Sequence, residues 1–127
     1  MNPVIYQNDW LNLQIEKSEI PWIKIFTNQP YKELTDCDAK TKEALYKAME
    51  GVERVMRRYY SPEKVNIAMF GNYVPHVHVH VMARFKEDSF FPESMWGQKQ
   101  RQAQLNLPSI DGFLVELTAQ MIKIFHT

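Results

Sequence analysis

Residues 76–82 read His76-Val77-His78-Val79-His80-Val81-Met82, and this run decides how the rest of the chain is read. Strict alternation has the period of a β-strand, whose successive side chains point to opposite faces. The three imidazoles therefore leave one face, about 6–7 Å apart. Val77, Val79 and Val81 leave the other face and anchor the strand in a core. Three of the four histidines in the chain sit in this one row. Imidazoles buried side by side without partners are costly, so the row calls for a chemical use.

Working outward, Lys64 to Phe70 reads as a strand, Gly71 to Pro75 as a turn, and His76 to Phe85 as the returning strand. Upstream, Leu11 to Glu16 alternates apolar and polar residues, Lys17-Ser18-Glu19 is turn-like, and Pro21 to Thr27 reads as a second strand, which predicts a hairpin. Between these pairs, Leu45, Ala48, Met49, Val52, Val55, Met56 and Tyr59 recur at helical spacing. They predict a long helix over residues 38–60, capped by Asp36 or Asp38 and ended by Ser61-Pro62. Residues 86–107 read as irregular, with room for a helical turn over 98–105. A last helix is expected from Ser109 or Asp111, burying Leu114, Leu117, Met121, Ile124 and Phe125. The order of elements predicts an α+β fold with a mostly antiparallel sheet, as a single domain over residues 1–127.

The bulk composition restricts what this domain does. Hydrophobic residues make up 45% of the 127 residues and charged residues 24%, which is ordinary for a globular chain. Lys plus Arg and Asp plus Glu both number 15, so there is no net positive charge with which to bind long nucleic acids. Arg54, Arg57 and Arg58 cluster, but on what reads as a solvated helix face. Cys37 is the single cysteine, which excludes an internal disulfide and fits a reducing compartment. Met1 to Trp10 has neither the basic start nor the apolar run of a signal peptide, and no stretch approaches the ~20 apolar residues of a membrane span. A cytoplasmic location is expected.

Three uses of the histidine row are distinguishable. The first is a polar sheet face that happens to contain histidine. The second is a metal site, since His-x-His on a strand places two imidazoles toward one ion. Its further ligands would have to come from Glu16, Cys37 or His126, which are remote in sequence. The third is nucleophilic catalysis, in which a neutral imidazole attacks phosphorus and splits a hard substitution into two steps. One neighbour must fix the tautomer of the attacking ring and another must assist the leaving group. A row of three supplies orienter, nucleophile and acid, with no cofactor and no metal.

The run His76 to Met82 resembles the defining motif of the histidine triad family, His-φ-His-φ-His-φ-φ with φ apolar. Asn66 to Pro75 is similar to the strand and turn that precede the triad in a bacterial branch of that family. Ala83-Arg84-Phe85, Asp88, Phe91-Pro92 and Trp96-Gly97 resemble the segment after it, and Ile20-Pro21-Trp22-Ile23 a strand start before it. The likeness spans about residues 10 to 97. It implies a HIT-like fold and a homodimer. It also implies hydrolysis or transfer of nucleotides through a nucleotidyl-histidine intermediate, on dinucleoside polyphosphates or nucleoside phosphoramidates. In this likeness His78 is the nucleophile, His80 lies near the scissile phosphate and leaving group, and His76 supports the nucleophile. One departure stands out: many members carry a further histidine before the first long helix, whereas Phe26 to Leu34 has none and Pro30 falls near its place. A nucleotide-binding module with little turnover is the alternative that this departure motivates.

The likeness also nominates contacts to substrate. Asn72 precedes the triad strand and is a phosphate-binding candidate or simply a turn residue. Asn66 either contacts the site or satisfies local backbone. Glu16 ends a strand where members often place an acid on the ribose hydroxyls. Arg84 is a candidate phosphate contact. Trp22 and Phe26 either face the base or pack in the core, and Trp96 covers the site or a subunit interface.

Overall fold

The structure, a computed structural model, describes residues 2–126. Five strands form one antiparallel sheet in the order β1-β2-β3-β5-β4. They are β1 (Val4–Gln7), β2 (Leu11–Ile15), β3 (Trp22–Thr27), β4 (Lys64–Ala68) and β5 (His78–Arg84). A 22-residue helix α1 (Ala39–Tyr60) joins β3 to β4, and a 16-residue helix α2 (Ile110–Phe125) closes the described chain. The fold is therefore α+β with one antiparallel sheet, as the patterning predicts.

Both helices pack on the same face of the sheet, and sequence parity explains why. Leu11 and Leu13 on β2, Ile23 and Ile25 on β3, and Val79 and Val81 on β5 all point to that face and are fully buried. They meet Leu45, Val52, Val55 and Met56 of α1, together with Phe113, Leu117 and Met121 of α2. Each such side chain contributes about 1.5–3 kcal/mol relative to exposure. The helices themselves come close at Gly51, where an added Cβ would lie 2.6 Å from Ile124 Cδ1 and 2.7 Å from Met121 Cε. A side chain there would require the ends of these two side chains to move aside.

The helix ends follow local chemistry. The Asp38 side chain accepts from the Thr41 backbone N–H, and Ser61 turns left-handed (φ 48°) at the C-terminus, just before Pro62. Asp36 instead belongs to a short 3₁₀ turn, Leu34–Asp36. Ser109 caps α2 by accepting from Asp111 N. Three local expectations differ. Strand β1 is unannounced by periodicity, because it is a four-residue edge strand whose register breaks between Val4 and Tyr6. Residues 98–105 form no helix. Phe113 is buried at the start of α2, while Leu114 on the expected stripe is only partly so. Among the described residues, no helix is long and apolar enough to cross a membrane.

Candidate active site

The face of the sheet opposite the helices carries the histidines. His78 and His80 lie in β5, and antiparallel pairing sets Phe26 of β3 across from His78 and Lys24 across from His80. Trp22, Lys24 and Phe26 share a parity, so all three join the histidine face while Ile23 and Ile25 stay in the core. His76 falls just outside the strand. Its Nε2 donates to the Thr27 carbonyl at 2.6 Å, so it closes the end of β3 with its ring.

The two strand histidines are held in different tautomers. His78 Nδ1 lies 2.7 Å from the carbonyl oxygen of His76, which only accepts, so Nδ1 carries the proton and Nε2 keeps its lone pair. His76 thus orients its neighbour through the main chain rather than through its imidazole. At His80 the situation is reversed. Trp22 Nε1–H donates to His80 Nδ1 at 3.0 Å, and an indole N–H has no other role than donor. His80 therefore carries its proton on Nε2. Burial pulls its pKa down from the ordinary 6.5 to about 4, His78 and Lys24 add to the effect, and Glu16 opposes it. At neutral pH His80 is an uncharged hydrogen-bond donor.

Both rings are about nine-tenths buried (8% exposed), yet among the described residues no fully buried side-chain nitrogen or oxygen lacks a partner. With each Nδ1 engaged, each Nε2 is the atom that opens onto the adjoining cavity. That cavity, about 400 Å³, is walled by Lys24, Asn72, Tyr73, His78, His80 and Trp96, with Phe70, Gly71 and Val74 completing the rim. Its size suits a small-molecule ligand. Aromatic rings build the wall: Trp96 meets His80 at 5.0 Å, Phe70 at 4.9 Å and Trp22 at 5.3 Å between centroids. A second cavity of about 480 Å³ between the β2–β3 turn and the start of α2 is lined by Ile15, Ile20, Tyr60 and Leu107. None of the triad histidines lines it.

The other nominated residues divide. Asn72 lies on the wall of the histidine cavity. Glu16 does not; it sits behind Lys24, accepting from Lys24 Nζ at 2.9 Å and from Asn2 Nδ2 at 2.9 Å. Partial burial pushes the Glu16 carboxyl up, but these two bonds together with the Lys24 charge outweigh it and hold the pKa below the ordinary value. Arg84 is not available as a phosphate contact. It is 1% exposed and its guanidinium makes four hydrogen bonds to protein: Nε and Nη2 grip Asp88 at 2.9 and 3.0 Å, Nη2 also meets Glu93 O, and Nη1 donates to Asn66 Oδ1. Asn66 turns its Oδ1 to Arg84 and does not line the histidine cavity. Asp88 also accepts from the backbone N–H groups of Phe85, Phe90 and Phe91. This knot fixes the segment that carries Trp96. Cys37 and His126 do not gather with Glu16 or the triad; among the described residues no group of three or more His, Cys, Asp or Glu is arranged to hold a metal ion.

Lys24 is the cavity residue that the reading of the sequence missed. The signal was a lone cation in the middle of the apolar run Trp22-Ile23-Lys24-Ile25-Phe26. A Lys on the core face would be prohibitive, so the odd polar position marks the open face.

The HIT domain family model matches residues 3–87. Among solved structures, a histidine triad protein from Bradyrhizobium japonicum superposes with a TM-score of 0.79 at 26% identity, covering 94% of this chain and 90% of that one. A histidine triad protein from Sinorhizobium meliloti 1021 gives 0.73 at 21% identity, covering 98% and 90%. One from Marinobacter aquaeolei VT8 gives 0.72 at 16% identity, covering 98% and 89%. No protein with a curated description matches the sequence.

Proposed function

Because this chain belongs to the histidine triad family, we propose that it is a nucleotide hydrolase or nucleotidyl transferase working through a nucleotidyl group carried on His78. The observation that carries this reading is the bond from His78 Nδ1 to the His76 carbonyl, 2.7 Å long, which leaves Nε2 as a lone pair at the cavity. That is the tautomer a nucleophile needs. In this scheme Nε2 attacks the phosphorus bearing the nucleoside, the remainder of the substrate departs, and water later displaces the nucleotidyl group. The imidazole of the adduct is positively charged while substituted, which makes it a good leaving group for the second step. Asn72 on the cavity wall is a donor within the site, and Lys24 supplies positive charge beside His80.

We further read the active form as a cytoplasmic homodimer. Support for pairing comes from β4, an edge strand with an unpaired side, and from the exposed apolar residues Ile67, Met69 and Phe70 on and just beyond it. A nucleotide-binding module with little turnover is the second reading, favoured by the histidine-free stretch from Phe26 to Leu34.

Rapidly quenched protein incubated with adenosine-containing phosphoanhydrides and phosphoramidates, kept from acid and analysed by mass spectrometry, separates the two. A nucleotidyl adduct mapped to His78, absent in His78→Ala with nucleotide binding retained, is the expected result. Undiminished turnover in His78→Ala ends the scheme, and binding without any adduct or turnover favours the module.

A further inference from the structure

We propose that this site acts on substrates whose leaving group is itself a phosphate, and discriminates against substrates with an amine leaving group. The inference rests on the covalent reading of His78. It is carried by two contacts: Trp22 Nε1–H to His80 Nδ1 at 3.0 Å, and Lys24 Nζ to Glu16 Oε1 at 2.9 Å.

The first contact decides what His80 offers. A ring that accepts at Nδ1 carries its single proton on Nε2 and is neutral. It donates a hydrogen bond to an oxygen, but giving the proton away would leave an imidazolate. The charged groups around it reinforce this state. Lys24 stands directly across the strand pair, His78 is two residues along, and Glu16 lies behind Lys24; burial with the two neighbouring bases outweighs the carboxylate. From the loops, the rings of Trp96 and Phe70 pack against His80 and bring no charge.

The second contact decides what charge the cavity presents. Lys24 is on the wall, whereas Glu16 is not among the residues that line this cavity. One N–H of the ammonium is held by Glu16 and two remain for a ligand. Proton donation by Lys24 would strand the Glu16 carboxylate beside a neutral amine, so Lys24 serves as a fixed cation.

The bond changes select the substrate. As His78 Nε2 forms its bond to phosphorus, the bond to the leaving group breaks and its electron pair goes to the departing atom. On a phosphoanhydride this atom is the bridging oxygen of a phosphate, whose second pKa is about 6. It leaves as the oxyanion without a proton, met by Lys24 and by the Nε2–H of His80. On a phosphoramidate the pair goes to nitrogen, which must take up a proton as it leaves, and neither wall residue provides one. In the second step water bonds to phosphorus, the pair of the P–N bond returns to Nε2, and the proton of water passes to solvent.

The test is turnover of diadenosine tetraphosphate and adenosine 5′-phosphoramidate between pH 5.5 and 8.5 by the unmodified protein, Lys24→Met and Trp22→Phe. The unmodified protein is expected to favour the anhydride in kcat/KM by roughly 10²-fold or more at pH 7, the usual scale of missing proton assistance. Lys24→Met should lose about 10- to 100-fold on the anhydride alone, the scale of a hydrogen bond to a charged group. Trp22→Phe should raise the phosphoramidate rate relative to the anhydride near pH 6, a change that mere loosening of the fold would not produce. Preference for the phosphoramidate, or an equal loss on both substrates in Lys24→Met, overturns the inference while an adduct on His78 leaves the covalent reading standing. Absence of both turnover and adduct overturns the covalent reading, and this inference with it.

Discussion

The ring of Phe26 lies flat against the imidazole of His78, with centroids 4.6 Å apart and planes inclined by 11°. The contact follows from the β3–β5 register, which sets these two residues directly opposite one another. It holds the plane of the His78 ring while the His76 carbonyl holds its Nδ1. Together they leave the ring little freedom to turn Nε2 away from the cavity. Phe26→Ala should therefore lower kcat far more than it raises KM. Loss of alignment at a reacting atom is worth up to about 10²-fold. Steady-state kinetics on the best substrate checks this; an effect confined to KM would mean that Phe26 contacts substrate instead.

Burial of His80 makes its stability contribution depend on pH. The folded protein holds His80 near pKa 4 against an ordinary 6.5, so the unfolded chain binds this proton more readily. Stability from this group is complete above pH 6.5 and is lost as pH falls toward 4. Urea midpoints measured from pH 7.5 to 4 should fall across that window, and the fall should be shallower in His80→Gln. Nitrogen-15 spectra of the histidine rings should show His80 protonated on Nε2 at pH 7, with Trp22→Phe moving its titration upward toward the ordinary value.

Arg84 and Asp88 form an ion pair with side chains 2% and 0% exposed. Removing one partner leaves a buried charge without compensation, which typically costs about 3–5 kcal/mol. Arg84→Met should therefore lower the unfolding free energy on this scale. Since the knot also holds the segment carrying Trp96, the cavity wall should loosen with it. Denaturant unfolding gives the first quantity, and tryptophan fluorescence under native conditions reports the second.

The homodimer makes its own prediction. Light scattering at micromolar concentration should give twice the mass of the 15.1 kDa chain. Ile67→Lys, on the free edge strand, should shift the population toward monomer. A monodisperse monomer in the unmodified protein would remove the dimer.

Periodicity alone determined much of this protein. Alternation in Leu11 to Ile15 and in the triad run assigned β2 and β5 and their buried faces, because a strand side chain has only two directions to point. The 3.6-residue stripe of Leu45, Ala48, Val52, Val55 and Met56 assigned α1 and its core face for the same kind of reason. The triad could be read because its chemistry is carried by neighbours two residues apart in one strand. What tertiary structure decided depends on residues distant in sequence. The tautomer of His80 is set by Trp22, 58 residues away. Lys24 reaches the cavity because β3 pairs with β5 in one register rather than another, and Arg84, which shares the parity of the triad, is turned inward by Asp88 and Asn66. Strand β1 is held by its pairing with β2 and by α2, where Tyr6 stacks on Phe125. Local sequence fixes which way a side chain points along its own element, but its partner is chosen by strand register and by the loops laid over the sheet. Those are properties of the whole fold, and no window of the sequence contains them.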